Sequence, residues 1–180
     1  MKRTMACLVA SFLAAPAIAQ EGPPKPSPEH QVLAADAGTW DATIKSYEGG
    51  SEPAVSKGTE VNEVLPGGFW VLSRFDGDFN GMKFQGRGQF GFDPARKKYV
   101  GTWIDSMSPT LSVLEGSYDA KTKTMTYTGE GVGPDAKTKF TQKMVTTMKE
   151  DGTRVFTLYM KFDGAPEEKK FMEITYTKRK

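Results

Sequence analysis

Trp103, Asp105 and Met107 are the side chains in this sequence best suited to hold a small molecule. They alternate along one predicted strand, so they share a face and place a carboxylate between an indole ring and a flexible thioether. A carboxylate among apolar neighbours is unusual in a pure core, because a buried charge is costly unless it is paired. The pattern makes all three candidate ligand-binding residues.

Four more side chains extend this candidate site. Glu115 and Glu173 lie among apolar neighbours in later strands, and Arg74 lies in an earlier strand where it can neutralise one of them. If either Glu converges with Asp105, the two carboxylates can act as an acid and base pair, one of them with a raised pKa. Tyr159 is added as a ligand-binding candidate. The alternative interpretation is that each side chain faces solvent.

Two motifs match the residue pattern of known sites but lack a residue or a structural context that those sites need. Residues 76–81 (Asp-Gly-Asp-Phe-Asn-Gly) resemble the start of a calcium-binding EF-hand loop, but position twelve is Arg87 where a bidentate Glu is needed. Residues 86–91 (Gly-Arg-Gly-Gln-Phe-Gly) spell a dinucleotide fingerprint, yet they sit inside an alternating strand instead of between a strand and a helix. Both patterns are interpreted as structural, and no metal site is predicted.

Histidine chemistry rests on a single residue. His30 is the only histidine, which excludes a two-histidine metal motif. We predict no cofactor, and the one alternative is a haem held by His30 as axial ligand. The favoured interpretation of His30 is a helix residue that forms hydrogen bonds near the barrel mouth.

The composition indicates one folded domain. The chain has 180 residues, 38% of them hydrophobic and 26% charged, with 24 Lys and Arg against 22 Asp and Glu. A balance this even shows no basic footprint for nucleic acid outside the short terminal cluster 178–180.

The first twenty residues predict export. Lys2 and Arg3 precede an apolar run that closes on Ala17-Ile18-Ala19, which is the pattern of a signal peptide over residues 1–19, cleaved after Ala19. No later apolar run is long enough for a transmembrane helix. The mature chain is therefore expected in the periplasm or outside the cell. Its only cysteine, Cys7, is removed with the signal, so it has no disulfide.

A Pro-rich linker and one helix precede the domain proper. Residues 20–28 include four prolines and predict an extended spacer. Ser27 and Pro28 then predict the start of a helix over about 28–37, and Gly38 ends it. The domain is assigned to residues 29–180.

From residue 39 the hydrophobic period changes to two, which predicts an all-β domain. Ten strands are predicted at 39–48, 57–65, 69–79, 82–92, 97–106, 110–118, 123–130, 138–148, 153–162 and 169–178. Asn80-Gly81 and Asp151-Gly152 are predicted hairpin links, because both pairs tolerate positive φ angles. Ten short strands in succession favour a single antiparallel up-and-down β-barrel, which removes exposed sheet edges.

The motif Gly38-Thr39-Trp40, between a short helix and the first strand, resembles the Gly-x-Trp pattern of the calycins, which include lipocalins and fatty-acid-binding proteins. The resemblance implies that Trp40 plugs the closed end of the barrel. It also implies that a basic residue near the last strand packs over the ring, with Lys178 or Arg179 available and Arg179 chosen.

The sequence also resembles a bacterial family of unknown function, DUF1579, from His30 to about Lys178. The matching stretches include 38–41, 57–59, 67–69, 77–82, 91–93, 97–100, 102–107, 115–119 and 172–177. This resemblance implies a lipocalin-like barrel and supplies no catalytic residues.

Three functions remain open. The favoured one is a non-enzymatic barrel that binds a small apolar or amphipathic molecule, because a barrel of this strand number can hold a ligand cavity. The second is an enzyme that uses Asp105 with Glu115 or Glu173. The third is an envelope interaction module that binds another protein through the linker or an outer face. The oligomeric state is left open.

Overall fold

The protein is described from a computed structural model that covers residues 22, 24–47, 52–79, 81–133, 135 and 137–180. The predicted signal peptide, its cleavage site and Asn80 lie outside the described residues. A seven-residue helix, α1, spans Pro28–Ala34. Ten strands follow: β1 Gly38–Ser46, β2 Ala54–Val64, β3 Trp70–Phe79, β4 Met82–Asp93, β5 Lys98–Asp105, β6 Ser108–Asp119, β7 Thr124–Val132, β8 Lys139–Met148, β9 Arg154–Phe162 and β10 Lys169–Lys178.

The strands form a closed antiparallel barrel in which each strand pairs with its neighbours in the chain, and β1 closes the ring against β10. This confirms the predicted up-and-down barrel with one short helix. All ten predicted strands are present, with bounds within three residues of the prediction. The largest shift is in β2, which begins at Ala54 and pairs with Ser46 of β1.

The helix ends three residues before its predicted end. After Ala34 the chain turns through Asp36, whose carbonyl oxygen accepts hydrogen bonds from the Trp40 indole (3.0 Å) and from the Asn62 amide (3.3 Å). These side chains satisfy a carbonyl oxygen that would accept a hydrogen bond from a backbone N–H if the helix were longer. Gly38, with φ of +127°, then begins β1. No helix among the described residues is long and apolar enough to span a membrane.

The turns confirm part of the predicted loop chemistry. Two residues link β3 to β4, and Gly81 has φ of +82° with its N–H donated to the Asp78 side chain at 2.8 Å. The β8–β9 link is longer than the predicted pair, because residues 149–153 form it and Lys149 pairs with Thr153 across it. Gly152 supplies the positive φ there, at +83°.

The two ends of the barrel differ. We call the end at which α1 lies the helix end; it includes the loops 65–69, 94–97, 120–123 and 149–153. The opposite end, here the far end, carries the links 80–81, 106–107, 133–138 and 163–168. The fully buried side chains Trp40, Ile44 and Leu114 face the barrel interior, the lumen. Side chains on the same register rows as these three also face the lumen.

Candidate functional site

The lumen wall is mostly apolar and rich in flexible or flat side chains. Register places Phe84, Phe90 and Phe92 of β4 on the inner face. Six of the nine methionines also occupy inward positions: Met82, Met125, Met144, Met148, Met160 and Met172. Thioethers adapt their shape easily, so such a wall can accommodate ligands of different outline.

Many inward-facing apolar side chains are only partly buried. They include Phe84, Phe90, Trp103, Met144, Phe156, Met160 and Met172. A side chain that points into a closed barrel stays accessible to water only where unfilled space lies beside it. The lumen is therefore not packed solid.

Trp103 lies along the wall of this lumen. An added Cβ on Gly86 would meet the Trp103 ring at 2.0 Å, and one on Gly88 would meet it at 2.9 Å. The indole therefore covers two adjacent inward positions of β4 that only glycine leaves free. Phe90 covers Gly101 of β5 in the same manner, at 2.5 Å. Both rings therefore pack flat against inward positions that carry no side chain, and Trp103 also contacts both buried core clusters.

Asp105 stands beside Trp103 at the far end of β5. Its carboxylate accepts a hydrogen bond from the Trp103 indole (3.2 Å) and one from the Met107 backbone N–H (2.8 Å). Met107 itself lies in the β5–β6 turn and is partly exposed. The structure thus brings the predicted trio together at the rim, with the carboxylate held by two donors.

The other four predicted site residues lie on the outer face. Arg74 pairs with Asp76, and Glu115 forms an ion pair with Arg96. Glu173 accepts from the Lys170 ammonium at 2.7 Å. Tyr159, also outward, lies under the Lys143 ammonium, 4.7 Å from the ring centroid. Asp105 therefore meets neither glutamate, and the geometry gives the acid and base pair no support.

Three buried polar atoms in the lumen wall, besides Asn62 Oδ1 and Arg154 Nε at the helix end, have no hydrogen-bond partner among the residues that the structure describes. They are the Gln142 side-chain nitrogen, the Tyr127 hydroxyl and the Ser46 hydroxyl. Burial raises the pKa of Tyr127 well above its usual range, so the phenol is neutral and keeps its proton. A buried polar group without a partner is rare in folded proteins. The sequence analysis missed all three residues; the signal for Gln142 was a single amide in the apolar alternation of β8.

A buried ionic cluster closes the helix end of the lumen. Arg154 of β9 pairs with Asp36 after α1 and with Glu60 of β2, and Asn62 donates to Glu60 at 2.8 Å. Its guanidinium also lies 4.0 Å from the Tyr176 ring centroid. Burial raises the pKa of Asp36 to about 6, although the Arg154 charge opposes the shift. Sequence reasoning missed this cluster, because its members come from distant parts of the chain.

Trp40 plugs the helix end, as its resemblance to the calycin tryptophan implies. The ring is 2% exposed, and the Arg154 guanidinium lies 4.5 Å from its centroid. Lys178 also lies over the ring, at 5.2 Å. Arg179 does not take this position: its side chain lies outside the barrel and pairs with Asp41. The alternation of β10 explains the difference, since Lys178 is opposite Trp40 and Arg179 points the other way.

His30 belongs to the packing of α1. It is buried, its Nδ1 accepts the Ser27 backbone N–H at 3.1 Å, and its ring meets Phe69 and Phe92 edge-on. This hydrogen bond satisfies the Ser27 N–H at the start of the helix, which has no partner within the helix. Among the described residues, no three His, Cys, Asp or Glu side chains group as a metal site would require.

Two depressions open to solvent, one on the outer face and one at the helix end of the barrel. An open groove of about 500 Å³ crosses the outer face between β2 and β6, where Leu72, Ile104 and Leu111 are exposed. A cleft of about 560 Å³ lies beside the first turn of α1, lined by Phe92, Tyr118 and their neighbours. The groove is the surface that an interaction module would use, and that alternative stays a prediction.

Comparison with known proteins agrees with the resemblance. A family model described as "Protein of unknown function (DUF1579)" matches residues 25–178. No curated protein matches the chain significantly.

Proposed function

This chain belongs to the DUF1579 family of unknown function, and from the geometry of its barrel we propose that it binds a small apolar or amphipathic molecule in the lumen. One observation carries the proposal: many inward-facing apolar side chains, among them Phe84, Phe156 and Met160, are only partly buried, so space lies beside them. A ligand that enters this space displaces water from the apolar surface, which favours binding.

The wall supports binding in preference to catalysis. Apolar and methionine side chains dominate the inner face, and the carboxylate at the rim is held by two donors. The acid and base pair considered for this chain needs a second carboxylate that faces the same space as Asp105, so that both reach one substrate. The glutamates that were candidates for this role point away from the lumen.

The location of the protein is part of the proposal. The predicted signal peptide directs the chain to the periplasm or the medium, where it acts as a carrier or store for its ligand. The amino-terminal sequence of the protein purified from its own host tests this point. A terminus at Gln20 supports export, and an intact Met1 in the cytoplasmic fraction contradicts it.

Binding of Nile red, an uncharged fluorescent apolar probe, tests the proposal directly. A Met160→Trp variant should lose Nile red binding, because the larger inward side chain fills the space. The matched control is Tyr159→Trp, the neighbouring outward position, which should bind as the wild type does. Equal binding by both variants, or none by the wild type, contradicts a lumen site.

Native mass spectrometry of the mature protein from its own host identifies the natural occupant. A stoichiometric small molecule released on denaturation supports the carrier function and names the ligand class. Repeated recovery of empty protein that also fails to bind Nile red contradicts it.

A further inference from the structure

The inward positions of the barrel carry almost no charge away from the two ends. The charged residues at inward positions of the described strands are Glu60, Asp105, Arg154, Lys169 and Lys178. Arg154 already binds two carboxylates, and Lys178 lies over the Trp40 ring at the helix end. Asp105 and Lys169 are the terminal residues of their strands at the far end. The wall around the middle of the lumen is therefore uncharged.

A neutral wall discriminates against charged ligands. A carboxylate moved from water into apolar surroundings pays a large desolvation cost unless a cation or several donors meet it. The one buried guanidinium in the described part of the barrel is occupied by Asp36 and Glu60. A fatty acid in its ionised form thus finds no free cation within the wall.

The wall does offer hydrogen-bond donors. Gln142 is 7% exposed, and its side-chain nitrogen lies 3.6 Å from where a Cβ on Gly129 would stand, on the inner surface beside Leu114. Both N–H groups of that nitrogen lack an acceptor among the described residues. Tyr127, one inward position away on the adjacent strand, has an unpartnered hydroxyl. An acceptor oxygen brought in by a ligand would remove the cost of leaving the amide N–H unpaired.

We propose that the lumen selects an uncharged amphiphile whose polar end is a hydrogen-bond acceptor, such as an ester, ketone or amide carbonyl, held by the Gln142 side-chain N–H. The apolar part of the molecule lies against the aromatic and methionine wall. This inference rests on the proposed function, because it names the class of molecule that the same lumen binds. It also predicts that a fatty acid enters only in its protonated form.

Displacement of Nile red by two ligands of equal chain length tests the selection. At pH 8 we expect methyl dodecanoate to compete about tenfold or more strongly than dodecanoic acid, because the acid is ionised and must be desolvated. At pH 5 the gap should narrow, since more of the acid is protonated, while the affinity for the ester stays the same. This comparison uses the wild-type protein and needs no variant.

The role of Gln142 is tested by Gln142→Leu, which keeps the side-chain size and removes the donor. The variant should bind methyl dodecanoate about three- to tenfold more weakly and dodecane as well as the wild type does. Gln89→Leu, the same change on the outer face, is the matched control and should alter neither affinity. If Gln142→Leu weakens both ligands equally, or neither, the assigned contact is overturned.

The outcomes separate this inference from the function on which it rests. If dodecanoic acid binds at pH 8 as tightly as the ester, the inference fails and the lumen site stands. If neither ligand displaces Nile red that the wild type binds and Met160→Trp does not, the inference fails and the lumen site stands; if the wild type binds no Nile red, both fail. Should Gln142→Leu not fold, as judged by circular dichroism, the acid and ester comparison at the two pH values still decides.

Discussion

Arg154 is the residue on which the helix end of the barrel depends most. Its guanidinium neutralises Asp36 and Glu60 and packs between the Trp40 and Tyr176 rings, all of them largely withdrawn from water. Burial lowers the pKa of Arg154, but the two carboxylates raise it by more than burial lowers it. The guanidinium therefore stays charged. The whole cluster is organised around this one cation.

Arg154→Met should lower the free energy of unfolding by about 3–5 kcal/mol, because it leaves the buried Glu60 carboxylate and the partly buried Asp36 carboxylate without a counter-charge. Urea unfolding followed by tryptophan fluorescence measures the loss. Arg179→Met, which removes an arginine that pairs with Asp41 at the surface, should leave the midpoint nearly unchanged. Equal effects of the two substitutions would refute the central role of Arg154.

Asp36 gives this cluster a pH dependence. Its pKa is about 6 in the folded chain, above the ordinary 3.8, so the folded state binds the proton more tightly than the unfolded state does. The resulting stabilisation is complete below the unfolded pKa and is lost as the pH rises through about 6. Relative to Asp36→Asn, the wild type should lose about 1–2 kcal/mol between about pH 4 and pH 7.

Urea midpoints of the wild type and Asp36→Asn, measured at several pH values across that range, check this sign. The difference between the two proteins should shift steadily in favour of the variant as the pH rises. A constant difference, or a shift toward the wild type, shows that Asp36 titrates normally.

At the level of strands, the β4–β5 pair is the element that shapes the lumen wall. The alternation of β4 puts glycine at two successive inward positions, and Trp103 of β5 fills the hollow that they leave. The twist and close approach of the two strands depend on the missing side chains. This explains why a glycine-rich motif sits inside a strand.

Gly86→Ala should destabilise the protein by about 1–3 kcal/mol, because the new methyl group forces the Trp103 ring toward the middle of the lumen. Urea unfolding measures the cost, and Nile red affinity should fall along with it. In a Trp103→Leu background the same substitution should cost much less, because the ring is gone. An equal cost in both backgrounds would show that the contact with the ring is not the cause.

At the level of the whole molecule, the accessible lumen predicts a pattern of chemical reactivity. The mature chain is expected to lack cysteine, so single cysteines report on one position each. Met160→Cys faces the partly open lumen, Leu114→Cys a fully buried position, and Tyr159→Cys the outer face.

A small uncharged maleimide should label the cysteines at 159 and 160 and spare the one at 114 in the folded protein. Bound Nile red should slow labelling at 160 and leave 159 unchanged, because only the lumen position lies beneath the probe. Mass spectrometry of timed samples measures each rate. Protection at both positions, or at neither, contradicts a ligand in the lumen.

The sequence by itself determined the fold, because strand formation and turn position depend on local patterns. Alternation with period two specified ten strands, and the pairs of turn residues marked links between them. Phe84, Phe90 and Phe92 alternate with polar residues along β4, and the structure turns this clearly apolar side inward. The Gly-x-Trp motif located the plug of the helix end.

The tertiary structure alone decided which strand faces form the site. Glu115, Glu173 and Tyr159 lie in strands with two mixed faces, and period two separates the faces without saying which one turns inward. The ionic cluster joins Arg154 to Asp36, which lie 118 residues apart in the chain, so no local pattern records it. Long-range strand pairing brings such groups together, and only the closed ring of ten strands fixes which side chains share the lumen.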